Sequence, residues 1–465
     1  MNLNFFDYLF IAVYFLGLLA FGVLVRRIRN FGDYSVGGRS VPGVMIFASL
    51  CATYHGPGYT MGFTGKGSAS GWLFFFVALG FTAQTVLTAL FIAPRLQSFK
   101  NCYTVGDVIG NAYGKTAKVV TGFISTLLCI GFAAIMAKVG GLVLQGTTGL
   151  PMLAGVFLVT GVGVVYCFTG GMKSVIATEA MQFSITGIAI PILLWLAVSK
   201  SGISLHEADA KGWAAMHASL DGMTPLQILG LFLSFLLGET LIPPYANRAL
   251  ASGSPAIARG GFLAGAGYSV VWFAMVVGLG VVASVAIPNA KPDDAFVTLA
   301  IKFLPHGLLG ILIVAMASII MSSQESVLNA GAVSFTRDIR DALGGNALSD
   351  GQRLRLSRLS TLVMGLLAAV LAYFAPSIID GLLIIYSVWA PSVLPIFLFA
   401  ILLRKPVRGA GAAAMIAGAA ASLFWQFGLK EPGHVPALVV GLAANLLTYG
   451  TVALFSKRDK PDNIA

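Results

Sequence analysis

The chain has 465 residues, 57% of them hydrophobic and only 10% charged, with a mean hydropathy of +0.87. A soluble domain carries about 25% charged residues to cover its surface, so this composition excludes a soluble protein and requires lipid over much of the surface. The net charge of +11 sits in short loops between apolar runs, which makes it a topology signal rather than a nucleic-acid footprint.

The segment from Met1 to Asp7 lacks the basic region of a cleaved signal peptide, so the first apolar run is expected to be retained as a helix. Thirteen apolar runs long enough to span a bilayer follow one another, centred near residues 16, 53, 83, 131, 159, 187, 238, 272, 322, 364, 390, 418 and 446. With the N-terminus outside, 22 of the 29 basic residues fall on the cytoplasmic side and six outside, and Lys138 lies within a span. The inside set includes Arg26, Arg27, Arg29, Arg248, Arg337, Arg404, Lys405, Lys457, Arg458 and Lys460. A missed span would swap every later loop and spoil this bias. The expected fold is therefore an all-α polytopic membrane protein of the inner (plasma) membrane, one transporter domain over 1–465, with its C-terminus cytoplasmic.

Two spans carry backbone breaks. The second contains Gly56-Pro57-Gly58, which removes an amide donor and frees the backbone in mid-span. The seventh contains Glu239 followed by Pro243 and Pro244. In lipid, irregular backbone survives only inside protein or beside a cavity. The two breaks lie five spans apart, and such a matched pair is the sequence pointer to an inverted repeat. Spans 2–6 (about 41–200) and 7–11 (about 225–403) form the expected halves, with peripheral helices at about 6–27, 409–428 and 435–457. Kinks in ordinary packed helices are the plainer account of each break alone.

Charges at bilayer depth are costly and functional by default; here they are His55, Lys138, Glu179, Glu239 and Glu325. In the ninth span Ser318, Ser322, Glu325 and Asn329 form one polar stripe at helical spacing, flanked by Ser323 and Ser326. Hydroxyls and freed carbonyls are the hard oxygen ligands an alkali cation takes, by the logic of calcium and magnesium sites. The competing account is that small hydroxyl residues cement helix contacts. Glu179 reads equally as an acid near a helix N-terminus or as a cavity group. Glu239, beside a break, reads as a cavity group. His55 is open between substrate contact, proton carrier and a hydrogen bond to loose backbone, and Lys138 between snorkelling outward and a substrate role. The four cysteines, Cys51, Cys102, Cys129 and Cys167, have no disulfide or metal spacing.

Gly37-Gly38-Arg39-Ser40 followed by Val41 to Gly71, Thr169-Gly170-Gly171 followed by Thr178-Glu179-Ala180-Met181-Gln182, and Met321-Ser322-Ser323 with Asn329 and Phe335-Thr336-Arg337-Asp338 resemble the sodium:solute symporter family, and its proline-permease branch in particular, along the whole chain. The resemblance implies a leucine-transporter-type inverted-repeat fold and uptake of a solute coupled to sodium. It implies a sodium site at the carbonyls of Ala52, His55 and Ile319 and the hydroxyls of Ser322 and Ser323. It implies a second cation or proton site at Glu179, Glu325 and Ser326, where Glu325 departs from the small hydroxyl of the family pattern. Tyr54 stands where the proline permeases have an Asp, which weakens proline as the solute and leaves proton coupling open.

The expected function is sodium-coupled symport of a small polar organic solute, amino-acid-like or a small carboxylate, by alternating access. The expected pocket residues are Tyr54, His55, Tyr59, Glu239 and Tyr245. The expected partners are that solute, Na+ with H+ as the alternative, and the lipid bilayer, with no nucleic acid, no cofactor beyond the coupling ion and no enzyme activity. The rivals are a proton symporter of the same fold, a transporter-like sensory module (unsupported, since the chain stops at Ala465 with no kinase region), and a pore, against which the carboxylate-bearing breaks argue.

Overall fold

A computed structural model describes residues 4–24, 30–169, 171–305, 309–344, 348–403 and 406–455. Arg26, Arg27, Arg29, Gly170, Arg404, Lys405, Lys457, Arg458, Lys460 and Ala465 lie outside the described residues. The fold is all-helical: among the described residues the only strand-like pairing is one isolated bridge, Val41 to Ser252.

In chain order the helices are α1 Phe5–Leu24, α2 Phe31–Val36, α3 Gly43–Tyr54, α4 Phe63–Ser70, α5 Leu73–Leu96, α6 Val105–Tyr113, α7 Lys115–Thr148, α8 Met152–Thr169, α9 Met172–Ser201, α10 Leu205–Asp221, α11 Pro225–Leu237, α12 Pro243–Ala251, α13 Pro255–Ala286, α14 Ala295–Phe303, α15 Gly310–Leu343, α16 Asp350–Phe374, α17 Ile378–Leu402, α18 Ala410–Gly428 and α19 Ala437–Phe455. Nine described helices are each long and apolar enough to cross a bilayer: α5, α7, α9, α13 and α15 to α19. Phe5–Leu18, Gly43–Tyr54 and Met152–Val165 are apolar but shorter. Twelve of the thirteen predicted centres fall within helices, and the one near 238 falls at the end of α11, where the span breaks.

Local chemistry starts and stops these helices. Thr104 caps α6 by accepting from the Asp107 amide, and Thr224 with Gln227, like Ser349 with Gln352, forms a reciprocal capping box for α11 and α16. Asp7, wholly buried, accepts from the Gly310 amide at 2.7 Å and so caps α15 from a helix 303 residues away. Lys138 donates to the Ala375 and Pro376 carbonyls just past the end of α16, a helix-capping contact, and it does not line the cavity between the two breaks. α10, which the hydropathy pattern does not predict, turns by 114° from α11 and lies across the end of the bundle, held by the Trp72 indole donating to Asp209 at 2.9 Å.

Packing between helices repeats when the two halves are exchanged. α3 and α4 pack on α13 as α11 packs on α5; α7 packs on α16 as α15 packs on α8; α9 packs on α15 as α17 packs on α7. The pairs α7 with α15, α5 with α13 and α8 with α16 map onto themselves and are also packed. The short helices α6 and α14, nine residues each, precede α7 and α15 at matching places. This is the contact pattern of a five-plus-five inverted repeat. α15 is its centre: 89% of its apolar window is buried inside the protein, against 17% for the peripheral α19. On α16, Leu359, Leu362, Val363, Leu366, Leu367, Val370 and Leu371 are exposed, a continuous apolar face of the kind that lipid covers. The four cysteines are buried and unpaired. At Cys102, in the loop between α5 and α6, burial pushes the thiol up to about 12, with the Asp107 carboxylate adding to the effect.

Candidate functional site

The first break is built by Gly56, Pro57 and Gly58. α3 stops at Tyr54, His55 takes φ −90° and ψ 34°, and a π-helical turn over Gly58–Gly62 leads into α4. Glycine is required twice by close approach. A Cβ on Gly56 would stand 2.3 Å from the Ser323 hydroxyl, and one on Gly58 would stand 2.4 Å from Leu382.

The break leaves carbonyls for other partners. The Ser322 hydroxyl lies 3.1 Å from the Ala52 carbonyl and 3.0 Å from that of Ile319, and donates to one or the other. The His55 carbonyl accepts from the Thr60 hydroxyl at 2.7 Å. Ser323 Oγ, buried against Gly56, has no hydrogen-bond partner among the described residues. A buried hydroxyl without a partner is costly unless a ligand completes it. Ser322 Oγ and the Ala52 and Ile319 carbonyls thus lie close together, one residue from an unsatisfied buried oxygen. Gly56→Ala is expected to push the Ser323 hydroxyl out of place, weaken sodium binding and cost about 1–3 kcal/mol by overpacking. Thermal unfolding of the variant with and without sodium checks this, and an unshifted sodium response would remove Ser323 from the site.

The second break runs from Gly238 to Ile242. Leu241 adopts φ +52°, which costs an L-residue about 1–2 kcal/mol and is held by full packing around a side chain 1% exposed. Pro243 and Pro244 then open α12, where missing amide donors do least harm. The freed Thr240 carbonyl accepts from the Trp389 indole at 2.9 Å. Glu239, buried in this break, accepts from Tyr245 at 2.6 Å on one oxygen and from Tyr386 on the other, and Tyr386 also meets Tyr59 hydroxyl to hydroxyl at 3.1 Å.

Between the two breaks lies a small cavity walled by Tyr59, Phe132, Met136, Glu239, Tyr245 and Leu382, with Thr53 and Ser323 at its edge. Its free space is about 20 Å³, room for about one water and too little for an organic solute. Of the five expected pocket residues, Tyr59, Glu239 and Tyr245 line this cavity. Tyr54 instead packs edge-on against Phe81, Tyr245 and Phe262. The His55 ring turns toward α13, stacked on Trp272 at 4.8 Å and 3.0 Å from the Ser269 hydroxyl. Only the His55 backbone faces the break.

Beside the Ser322 cluster sits an ion pair with both side chains fully buried: Arg248 Nη2 to Glu179 Oε1 at 2.5 Å. Glu179 lies on the eighth residue of α9, well inside the helix. It also accepts from the hydroxyls of Ser49, Thr53 and Ser326. The position of Arg248 corrects the sequence-based topology, which puts it in a cytoplasmic loop. It lies on α12 at 0% exposure. Its removal leaves the bias of basic residues to one side standing. Glu325 and Ser326 are adjacent in sequence but diverge. Ser326 faces Glu179, whereas Glu325 Oε2 lies 3.5 Å from the Thr178 hydroxyl, and its Oε1 has no partner among the described residues.

Sequence reasoning misses Arg248, Tyr386, Ser49 and Thr53. For Arg248 a signal existed: one basic residue a turn beyond the double proline, on a segment too short to be both loop and helix. Ser49 and Thr53 lie one turn apart on one face of α3, a weaker signal. For Tyr386, 147 residues from Glu239, there was none.

Residues 34–418 match the profile of the sodium:solute symporter family. The chain is 26% identical over 453 residues to the high-affinity proline transporter PutP of Bacillus subtilis (strain 168), covering 93% of this chain and 94% of that protein. It is 26% identical over 455 residues to the sodium/proline symporter of Staphylococcus aureus, covering 93% and 88%. Among solved structures, the substrate-bound outward-open state of a Na+-coupled sialic acid symporter superposes with a TM-score of 0.85 at 19% identity, over 100% of both chains. At that identity the likeness bears on fold.

Proposed function

Since the chain belongs to the sodium:solute symporter family, and is therefore a multi-pass membrane transporter rather than an enzyme, we propose that it carries a small amino-acid-like solute into the cell together with sodium. The observation that supports this most is the oxygen cluster at the first break: Ser322 between the Ala52 and Ile319 carbonyls, beside the unpartnered Ser323. Sodium would be held by Ala52, His55, Ile319, Ser322 and Ser323, an all-oxygen set suited to a hard cation. No other cofactor is needed. Residues about 41–200 and 225–403 are read as the two repeats of one domain, with the N-terminus outside the bacterial plasma membrane and the C-terminus inside, and lipid around the bundle.

The cavity chemistry favours one class of solute. Glu239 is the charged group in a lining otherwise built of aromatic and aliphatic side chains with a few hydroxyls. A carboxylate in a low-dielectric site attracts an ammonium group, and the tyrosine faces add to that attraction. A solute that is only a carboxylate meets repulsion there. The reading is therefore an amino-acid-like zwitterion or a related amine, not a bare small carboxylate. About 20 Å³ of free space is too little for it, so entry requires α3, α4, α11 and α12 to move, as alternating access demands. Sodium and solute then select the same rearranged state, and each tightens the other's binding by the same factor.

Glu325 supports a second reading, proton coupling, because this buried carboxyl makes no ion pair among the described residues. One experiment separates the two. The purified protein is melted across a panel of amino acids, amines and carboxylates, each in sodium and in choline buffer. Binding stabilises by mass action, about 2.7 kcal/mol at 100 times Kd. Stabilisation by an amino acid or amine in sodium alone is expected. Stabilisation that ignores sodium and follows pH would replace sodium with a proton.

A further inference from the structure

We infer that Arg248 is a tethered cation filling a second cation cage, so that the chain binds and carries sodium at a single site. The inference rests on the symporter reading above and adds its stoichiometry.

The cage is built of oxygens from four elements. Glu179 of α9 supplies two carboxylate oxygens. Ser49 and Thr53 of α3 and Ser326 of α15 supply hydroxyls, and the Pro244 carbonyl at the start of α12 completes it. Glu179, Ser49 and Ser326 are no more than 2% exposed, Thr53 is 7% exposed and Pro244 is buried. With the arginine side chain set aside, a carboxylate surrounded by three hydroxyls and a carbonyl is a hard-oxygen site for a monovalent cation. The guanidinium takes that place: Nη2 donates to Glu179 Oε1 and to Ser326 Oγ, both at 2.5 Å, Nε to Ser49 Oγ at 3.0 Å, and Nη1 to the Pro244 carbonyl at 2.7 Å. The charge of the cage is balanced and its donors are used. Ser326 lies one helical turn beyond Ser322, about 6 Å along α15, so the two cation positions are neighbours: one open to a mobile ion, the other held by the chain.

This has a transport consequence. An ion that is covalently part of the protein is never released, so it contributes nothing from the sodium gradient. The equilibrium accumulation of solute then follows the first power of the sodium concentration ratio. With a zwitterionic solute, one net charge crosses per cycle, because Glu179 and Arg248 cancel. The pair also links α12, one half of a broken span, to α3, α9 and α15, so a neutral Glu179–Arg248 unit crosses both repeats at the point where they must move.

The test is the number of sodium ions bound per chain, counted with radioactive sodium by scintillation proximity on purified wild-type protein and variants. Wild type is expected to bind one. Arg248→Ala opens the cage and is expected to bind two, with the Hill coefficient for sodium rising from 1 toward 2. Glu179→Gln in the Arg248→Ala background is expected to return the count to one. A wild-type count of two overturns the inference without any variant, and so settles the matter should Arg248→Ala fail to fold. A folded Arg248→Ala protein that still binds one ion also overturns it. A wild-type count of zero would also overturn it, by removing the sodium site at Ser322 and with it the sodium-coupled reading, so the two failures are distinct.

Discussion

Glu179→Gln alone is expected to destabilise the protein by about 3–5 kcal/mol, the usual consequence of stranding one charge of a buried pair. The guanidinium of Arg248 would keep its hydrogen bonds to Ser49 and the Pro244 carbonyl but lose the only carboxylate it pairs with among the described residues. It cannot reach water, because it is 0% exposed and sits on a wholly buried helix of nine residues packed on α15, α5 and α2. Adding Arg248→Gln should recover more than half of the loss, since two neutral amides in the same space carry no unpaired charge. The cycle of single and double variants isolates the coupling. Thermal unfolding reported by a thiol-reactive dye suits this protein, whose four cysteines are buried and free in the folded state. If the double variant loses as much as the sum of the singles, the pair is not coupled and Glu179 serves only as a hydroxyl acceptor.

Ser322→Ala is expected to raise the sodium concentration for half-maximal uptake by about 10–100-fold. Outer-shell partners of bound metals already contribute this much, and Ser322 would be a direct ligand. The hydroxyl also lies within hydrogen-bond distance of the Ala52 carbonyl on α3, so its loss removes one ligand and a contact that ties α15 to α3. Because coupling is reciprocal, solute affinity of the variant measured in sodium should fall toward that of wild type measured in choline. Solute affinity in choline should not change. Uptake in proteoliposomes at varied sodium gives the first quantity, and solute binding in the two buffers gives the second. A variant whose sodium curve overlies that of wild type would move the ion away from the first break.

Much about this protein is local, and what is local was readable. A bilayer makes each spanning helix satisfy its own backbone, so hydropathy, glycine and proline report where helices run and where they break one segment at a time. The breaks at Gly56–Gly58 and Glu239–Pro244, and the polar stripe through Ser322 and Glu325, follow from residues within one or two turns of each other. The sodium:solute symporter resemblance rested on such segments and agrees with the family match over residues 34–418. Burial and direction are not local. Whether a charge can lie in the interior depends on its partner, and the partner of Arg248 is 69 residues away on another helix. Read alone, a basic residue just past a span belongs in a loop, because an unpaired charge in the core costs too much. Only the packing of α9, α12 and α15 supplies the carboxylate that reverses that balance. The same holds for Tyr386 reaching Glu239 and for His55 turning its ring to Trp272 and away from the cavity. The sequence determined the membrane class, the run of helices and the positions of the breaks, while the tertiary structure alone decided which side chains meet between them, since those contacts depend on how distant helices face one another.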